Sequence, residues 1–383
     1  MTSDVAQEPV FTGYTDGRLR AHASQPIIAE HGYLTPQAAW GDVERGNPLP
    51  YTLPPEQRRA VGLERETWQL EIVADAETDA EVAAPLTREQ GTAIDFETLL
   101  RLGAEHGVRL LKGVTCNNLG EPLGMGLWEG VPLRVLVWLA SPVRNIRRVF
   151  YYGYHHDNPA EIFQSSLPIG RVLEEPPGEL PVLVAYKLNG EFISGKRGGP
   201  VRMLVPEAYG FKSVKWLQRV VLTNQYAAND TYHQGNNDLD SPMKTFARFV
   251  RVPKEVPAGT PVEVTGIAQV GVSGLARVET WLRPASAGPL EDPYCLAGDW
   301  RPAELLGLPD EVRAADLSLP AQRDQWPLRY TLAQWRAVLP GLAAGEYELR
   351  CRSVDLNGVA QPMPRPFPKS GRAEIQRVSV TVV

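Results

Sequence analysis

Cysteine is scarce: 383 residues hold three, Cys116, Cys295 and Cys351, and neither CxxC nor CxxCH occurs. That excludes a zinc ribbon, a four-cysteine iron–sulfur cluster, c-type haem attachment and a disulfide scaffold. No apolar run approaches the roughly 18 residues needed to cross a bilayer. Basic charge is not in excess, with 39 Lys and Arg against 45 Asp and Glu and a formal net charge of −6. This argues against a nucleic-acid or anionic-membrane partner. The opening MTSDVAQEPVF has no basic stretch followed by an apolar one. A cytoplasmic chain is therefore expected, or a periplasmic one if an export signal has been trimmed away. Internal repeats, low-complexity tracts, HExxH spacing and a convincing GxGxxG are also missing.

What is present is ordinary globular composition, 43% apolar and 22% charged. The 34 glycines and 34 prolines favour turns and strands over long helices. The length suggests two domains. Residues 1–40 read as an N-terminal arm, part of an irregular, Pro-punctuated stretch that runs to about 65. From Thr67, TWQLEIVAD alternates like a strand. Asp95 is a plausible N-cap for a helix over DFETLLRL. Val108–Val114 leads into a loop, TCNNLGEPLG, and GVPLRVLVWLA reads as a short helix with Pro132 near its first turn. RRVFYYGYH, LPVLVAYKLNG, PVRMLVP and SVKWLQRVVLT are four further strand-like runs. Together they predict a mixed α+β domain over 41–250. Beyond Pro253, short alternating strands separated by turns predict an immunoglobulin-like β-sandwich over 257–383.

Four features could carry chemistry. Cys116 stands in the Gly/Asn/Pro-rich loop. A lone cysteine is most often a small buried hydrophobe; the alternatives are a thiol nucleophile, a redox thiol, or a soft ligand completing the shell of a metal held mainly by a cofactor. KRGGPVR (Lys196–Arg202) and GFKSVKW (Gly210–Trp216) place cations beside glycines and free backbone N–H groups, a plausible anion cradle or a pair of solvated turns. Tyr154-His155-His156-Asp157 is a polar cluster. Adjacent strand histidines face opposite sides, so cofactor hydrogen bonding or plain loop polarity is favoured over a zinc site.

The order of these pieces (TCNNLGEPLG, LWEGVPL, FQSSLPI, AYKLNGE, RGGPVRMLVPEAYGFKSVKWL and a C-terminal sandwich ending in DLNGVAQP) resembles the sulfite oxidase family of molybdenum enzymes over roughly residues 40–383. The resemblance implies a molybdenum–molybdopterin cofactor whose dithiolene gives the metal two sulfurs, with Cys116 as the protein ligand giving a third. It assigns cofactor contacts to Arg197, Arg202, Ser213, Val214 and Lys215, with His155 in altered form. It places Arg45 and Asn47 of ERGNPLP near the metal and Trp128 along the substrate channel. It further implies two-electron oxygen-atom transfer to or from a small-molecule substrate, a C2 homodimer, and an external electron acceptor or donor, because the chain carries no haem motif.

Departures from the family pattern bear on the substrate. Glu121 stands near where an arginine is expected, TLAQW (Thr331–Trp335) lacks another, and an expected tyrosine falls in TYHQGNND. There Tyr232 and His233 are the candidates for positioning or proton handling. One unit charge about 5 Å from an anion, at an effective dielectric near 20, is worth roughly 3 kcal/mol. A missing arginine would weaken sulfite binding by about two orders of magnitude. A neutral substrate such as a sulfoxide, or a non-catalytic oligomeric binding protein keeping the fold, are the alternatives.

Overall fold

A computed structural model describes residues 32–117, 121–154, 162–231, 238–288, 298–312, 317–319, 322, 325–362, 371 and 374–383. Its first half runs β1 (Gln69–Ala74), α1 (Phe96–His106), β2 (Val108–Thr115), β3 (Pro122–Pro132), α2 (Leu133–Leu139), β4 (Arg148–Gly153), β5 (Phe163–Pro168), β6 (Leu183–Leu188), β7 (Arg202–Leu204) and β8 (Leu217–Thr223). The second half contains β9 (Phe246–Arg251), β10 (Val262–Gln269), β11 (Arg277–Pro284), β12 (Leu332–Leu339), β13 (Gly345–Val354) and β14 (Gln376–Val382). None of the described helices is long and apolar enough to cross a membrane.

In the first half one sheet has the order Ile94–Asp95, β1, β8, β4, β5, and a second runs Glu191–Phe192, β6, β3, β2, with β7 also on β6. Between them lies one apolar core. It takes Leu70 and Ile72 from β1, Leu99 from α1, Leu136 and Val137 from α2, Val184 from β6 and Val220 from β8. Asp95 caps α1, its carboxylate accepting from Thr98 N at 2.8 Å, as the sequence predicts. The two helices are short, and the sheets dominate, in keeping with the α+β class.

The second half stacks the sheet β9–β10–β12–(Glu304–Leu305) on the sheet (Glu255–Val256)–β14–β13–β11–(Arg301–Pro302). Phe249, Val264, Trp335, Leu349, Cys351 and Val380 fill the space between. Strand alternation sends the neighbouring side chains of β10 and β12 outward. There Ile267 and Leu332 pack with Leu111 of β2 and Met125 of β3. The sandwich therefore sits directly on the sheet that carries Cys116.

Sequence reading missed β3, which spans 11 residues where a loop and the start of a helix were expected. Gly124, Gly126 and Gly130 suppress the strand signal. Each is there because a neighbour needs the space. A Cβ at Gly124 would lie 2.5 Å from the Trp40 ring, and one at Gly126 would lie 2.4 Å from a Leu188 methyl. Gly124→Ala is expected to cost about 1–3 kcal/mol by overpacking, read as a lowered urea midpoint at constant slope. Gly170→Ala, where a Cβ meets nothing within 4 Å, should leave the midpoint in place.

Candidate active site

Four segments from three regions of the chain converge on one cleft. The first is the arm, which lies along β3 through Thr35 N donating to Met125 O and Gly41 N to Leu123 O, both at 2.8 Å. That docking buries Trp40 and brings Asp42, Val43 and Arg45 to the cleft wall. The second is the end of β2, which delivers Cys116, buried at 8% exposure, and Asn117. The third is the turn 195–199 with Arg202 at the start of β7. The fourth is Gly210–Trp216.

The third and fourth segments lock together through glycine. Gly198 has φ +96°, and a Cβ there would meet the Lys215 side chain at 2.5 Å, so only glycine lets the lysine stem cross the turn. Arg202 bridges the two segments, donating from Nη1 to Arg197 O and from Nη2 to Ser213 O, each at 2.8 Å. Its guanidinium also lies 5.3 Å from the Trp128 ring centre. Arg197 donates from Nη1 to Gly41 O at 2.9 Å and Trp40 O at 3.2 Å, which pins the arm.

Arg197, Arg202 and Lys215 thus share the cleft with one carboxylate, Asp42, which Lys196 also approaches at 3.9 Å. Asp42 takes Lys215 Nζ at 3.1 Å and stands 3.6 Å from Arg197 Nη2. Burial pushes Arg202 down to about 9, helped by Arg197. Burial likewise brings Lys215 down to about 8, the two arginines outweighed in part by Asp42, and lowers Arg197. Buried cations that lack full compensation favour an anion. Among the described residues, Arg197 Nε and Nη2 and Arg202 Nε have no hydrogen-bond partner. A cleft with unsatisfied guanidinium donors and a thiol at its edge matches a phosphate-bearing group that also presents a thiophilic metal.

The lysine yields a pH dependence. Between about 8 and its ordinary 10.5, the unfolded chain holds a proton that the folded lysine has released. Stability therefore rises with pH across that window, by up to about 3 kcal/mol at roughly 1.4 kcal/mol for each pH unit. Denaturant midpoints from pH 7.5 to 10.5 should show this rise in the parent relative to Lys215→Met, in which it disappears.

The structure brings Cys116, Arg45, Arg197, Arg202, Ser213 and Lys215 together on this one cleft. Other expected residues stand elsewhere. The Val214 side chain belongs to the core of the first half, and Asn47 is exposed, neither of them on the lining. Trp128 is fully buried behind Trp40, with ring centres 5.5 Å apart, and donates to Lys112 O; Trp40 stands on the wall in its place. Glu121 is ion-paired with Arg248 of β9 at 2.7 Å. His155, Tyr232 and His233 lie outside the described residues. Asp42, Trp40, Phe163, Phe211 and Trp216 also line the cleft and escaped sequence reading. Asp42 sits 173 residues from Lys215 in an irregular segment, where no local pattern marks it.

Part of the chain matches a known domain family. Residues 62–231 match the family described as oxidoreductase molybdopterin binding domain. The chain is 32% identical over 130 residues to an NADPH nitrate reductase of Beauveria bassiana, covering 34% of this chain and 14% of that protein. It is 26% identical over 277 residues to the sulfite oxidase of Gallus gallus, covering 67% of this chain and 53% of that protein. The chain thus spans about half or less of the length of these curated relatives. Among solved structures, the sulfane dehydrogenase SoxCD from Paracoccus pantotrophus superposes with a TM-score of 0.64 at 18% identity, over 100% of this chain and 93% of that one, a likeness of fold. Fold and cleft together define a molybdopterin-binding oxidoreductase domain followed by a β-sandwich. Residues 62–231 carry that molybdopterin-binding oxidoreductase domain, and the chain is similar to sulfite oxidases and nitrate reductases.

Proposed function

We propose that the cleft holds a molybdenum–pyranopterin cofactor, with Cys116 as the protein ligand to the metal, and that the chain is a two-electron oxidoreductase of small molecules. The observation that carries this is the set of unsatisfied donors on Arg197 and Arg202, sharing one lining with Cys116. When bound, the cofactor supplies oxygen-atom transfer coupled to two-electron redox chemistry. The chain's own residues bind and orient. Arg197, Arg202 and Lys215 neutralise the anionic end of the cofactor. Arg45, whose guanidinium lies 5.0 Å from the Phe163 ring centre, supplies a positive charge at the wall for orienting substrate. Trp40, Leu123 and Phe211 exclude water from the cleft, which strengthens each of these charges.

Sulfite and a neutral oxygen donor such as a sulfoxide are the two substrate readings. The second is favoured at one point: Glu121, near where a cation is expected, stands off the cleft lining and holds Arg248 in an ion pair, so neither brings a positive charge to substrate. Steady-state assays on molybdenum-loaded protein, with sulfite plus ferricyanide against sulfoxides plus a reduced dye, separate them. Saturable sulfite turnover supports the first reading and sulfoxide turnover alone the second. Stoichiometric molybdenum with neither activity would contradict the oxidoreductase role. A homodimer built through the sandwich and external electron exchange complete the proposal, checked by solution mass and by reduction of an added carrier.

A further inference from the structure

β2 is the edge strand of its sheet, and an edge strand leaves alternate backbone groups unpaired. Here the second half of the chain fills that edge residue by residue. Arg109 N donates to Ser318 Oγ at 2.9 Å, and Ser318 N returns a bond to Arg109 O at 3.1 Å. The Gln322 side chain amide both accepts from Leu111 N and donates to Leu111 O, at 3.0 Å each. Gly113 N donates to Tyr330 O at 2.8 Å.

The series continues to the cysteine. Thr115 Oγ1 donates to Gln269 Oε1 at 2.6 Å, and beyond Cys116, Gly371 N donates to Asn117 O at 3.2 Å. Gln269 ends β10, is fully buried, and is itself held by donating to Lys244 O at 2.7 Å. Cys116 is therefore bracketed, on the residue before it and the residue after it, by contacts from the C-terminal half.

We infer that Gln269 is a positioning residue for Cys116, and that the sandwich works as the clamp that fixes the thiol's place in the cleft. This rests on the proposed metal-ligand role of Cys116 for its purpose. Its geometry does not depend on that role. A backbone held on both sides of Cys116 offers the thiol from one place before any partner arrives, which lowers the entropy lost on capture. The hydroxyl of Thr115 is the handle, so Thr115→Ser keeps it and Thr115→Val removes it.

The test uses full-length protein carrying Cys295→Ser, made without cofactor, with Cys351 sealed inside the sandwich core. The rate of Cys116 modification by a disulfide reagent is the first readout. Gln269→Leu and Thr115→Val are each expected to raise that rate at least tenfold, Thr115→Ser to leave it within twofold, and the double variant to add little to either single one. Val264→Ala, a sandwich-core variant, should lower thermal stability without changing the rate. Rates for Gln269→Leu and Thr115→Val within twofold of the parent overturn the inference. So does equal acceleration by Val264→Ala, which would make the effect one of general loosening. In molybdenum-loaded protein, a broadened or shifted Mo(V) paramagnetic signal in Gln269→Leu is the second readout, and an unchanged signal counts against the clamp. If the thiol rates behave as expected but the protein takes up no molybdenum, the metal-ligand reading fails and the positioning role stands.

Discussion

Asp230→Ala should lower the unfolding free energy by about 3–5 kcal/mol, the usual cost of removing one partner of a buried ion pair. Asp230 is fully buried. It takes Lys212 Nζ at 2.7 Å and the hydroxyls of Ser165 at 2.5 Å and Ser166 at 2.8 Å. Lys212 is also buried and donates to Ser166 O at 2.9 Å, while its own carbonyl accepts from Tyr151 OH at 2.9 Å. Losing the carboxylate leaves a buried ammonium without its counter-charge and two hydroxyls without their acceptor. Because Lys212 lies between Phe211 and Ser213 of the cleft lining, the damage reaches the site as well as the core. Urea unfolding measures it. The double variant Asp230→Ala/Lys212→Met should recover most of the loss, since the stranded charge goes with the lysine.

Arg202→Met should weaken cofactor retention by about 100-fold. The guanidinium bridges the Arg197 and Ser213 carbonyls and keeps a buried Nε that has no hydrogen-bond partner among the described residues. A hydrogen bond to a charged group is worth about 1.5–3 kcal/mol, and every 1.4 kcal/mol is a factor of about ten in affinity. Methionine fills much of the volume but leaves both carbonyls unpaired and the anion with one cation fewer. Lysine keeps the charge yet cannot span two acceptors in a fixed fork, so Arg202→Lys should fall between parent and Met. Molybdenum and pterin content per chain, measured after gel filtration, ranks the three.

Much of this was legible in the residues. β1, β2, α1 and β8 follow their hydrophobic periods, Asp95 caps where a cap was expected, and the two cationic turns meet on one cleft with Cys116. Legibility fails where the cause is tertiary. β3 looks like a loop because its glycines make room for Trp40 and Leu188. Asp42 carries no local mark because its partners Arg197 and Lys215 arrive from far along the chain. Trp128 has the composition of a wall residue, yet Trp40 from the arm covers it. Glu121 seemed an uncompensated negative charge, and its compensation, Arg248, comes from the first strand of the sandwich. In each case the sequence signal is local and the deciding contact is not.

The central claim is that the Cys116 sulfur binds molybdenum in a cleft lined by Arg197, Arg202 and Lys215. X-ray absorption at the molybdenum edge, on protein from a cofactor-competent host, tests it most directly. The expected spectrum shows stoichiometric metal with three sulfur neighbours, falling to two in Cys116→Ser as turnover collapses. A spectrum unchanged by that substitution, or parent protein carrying no molybdenum, would contradict the account.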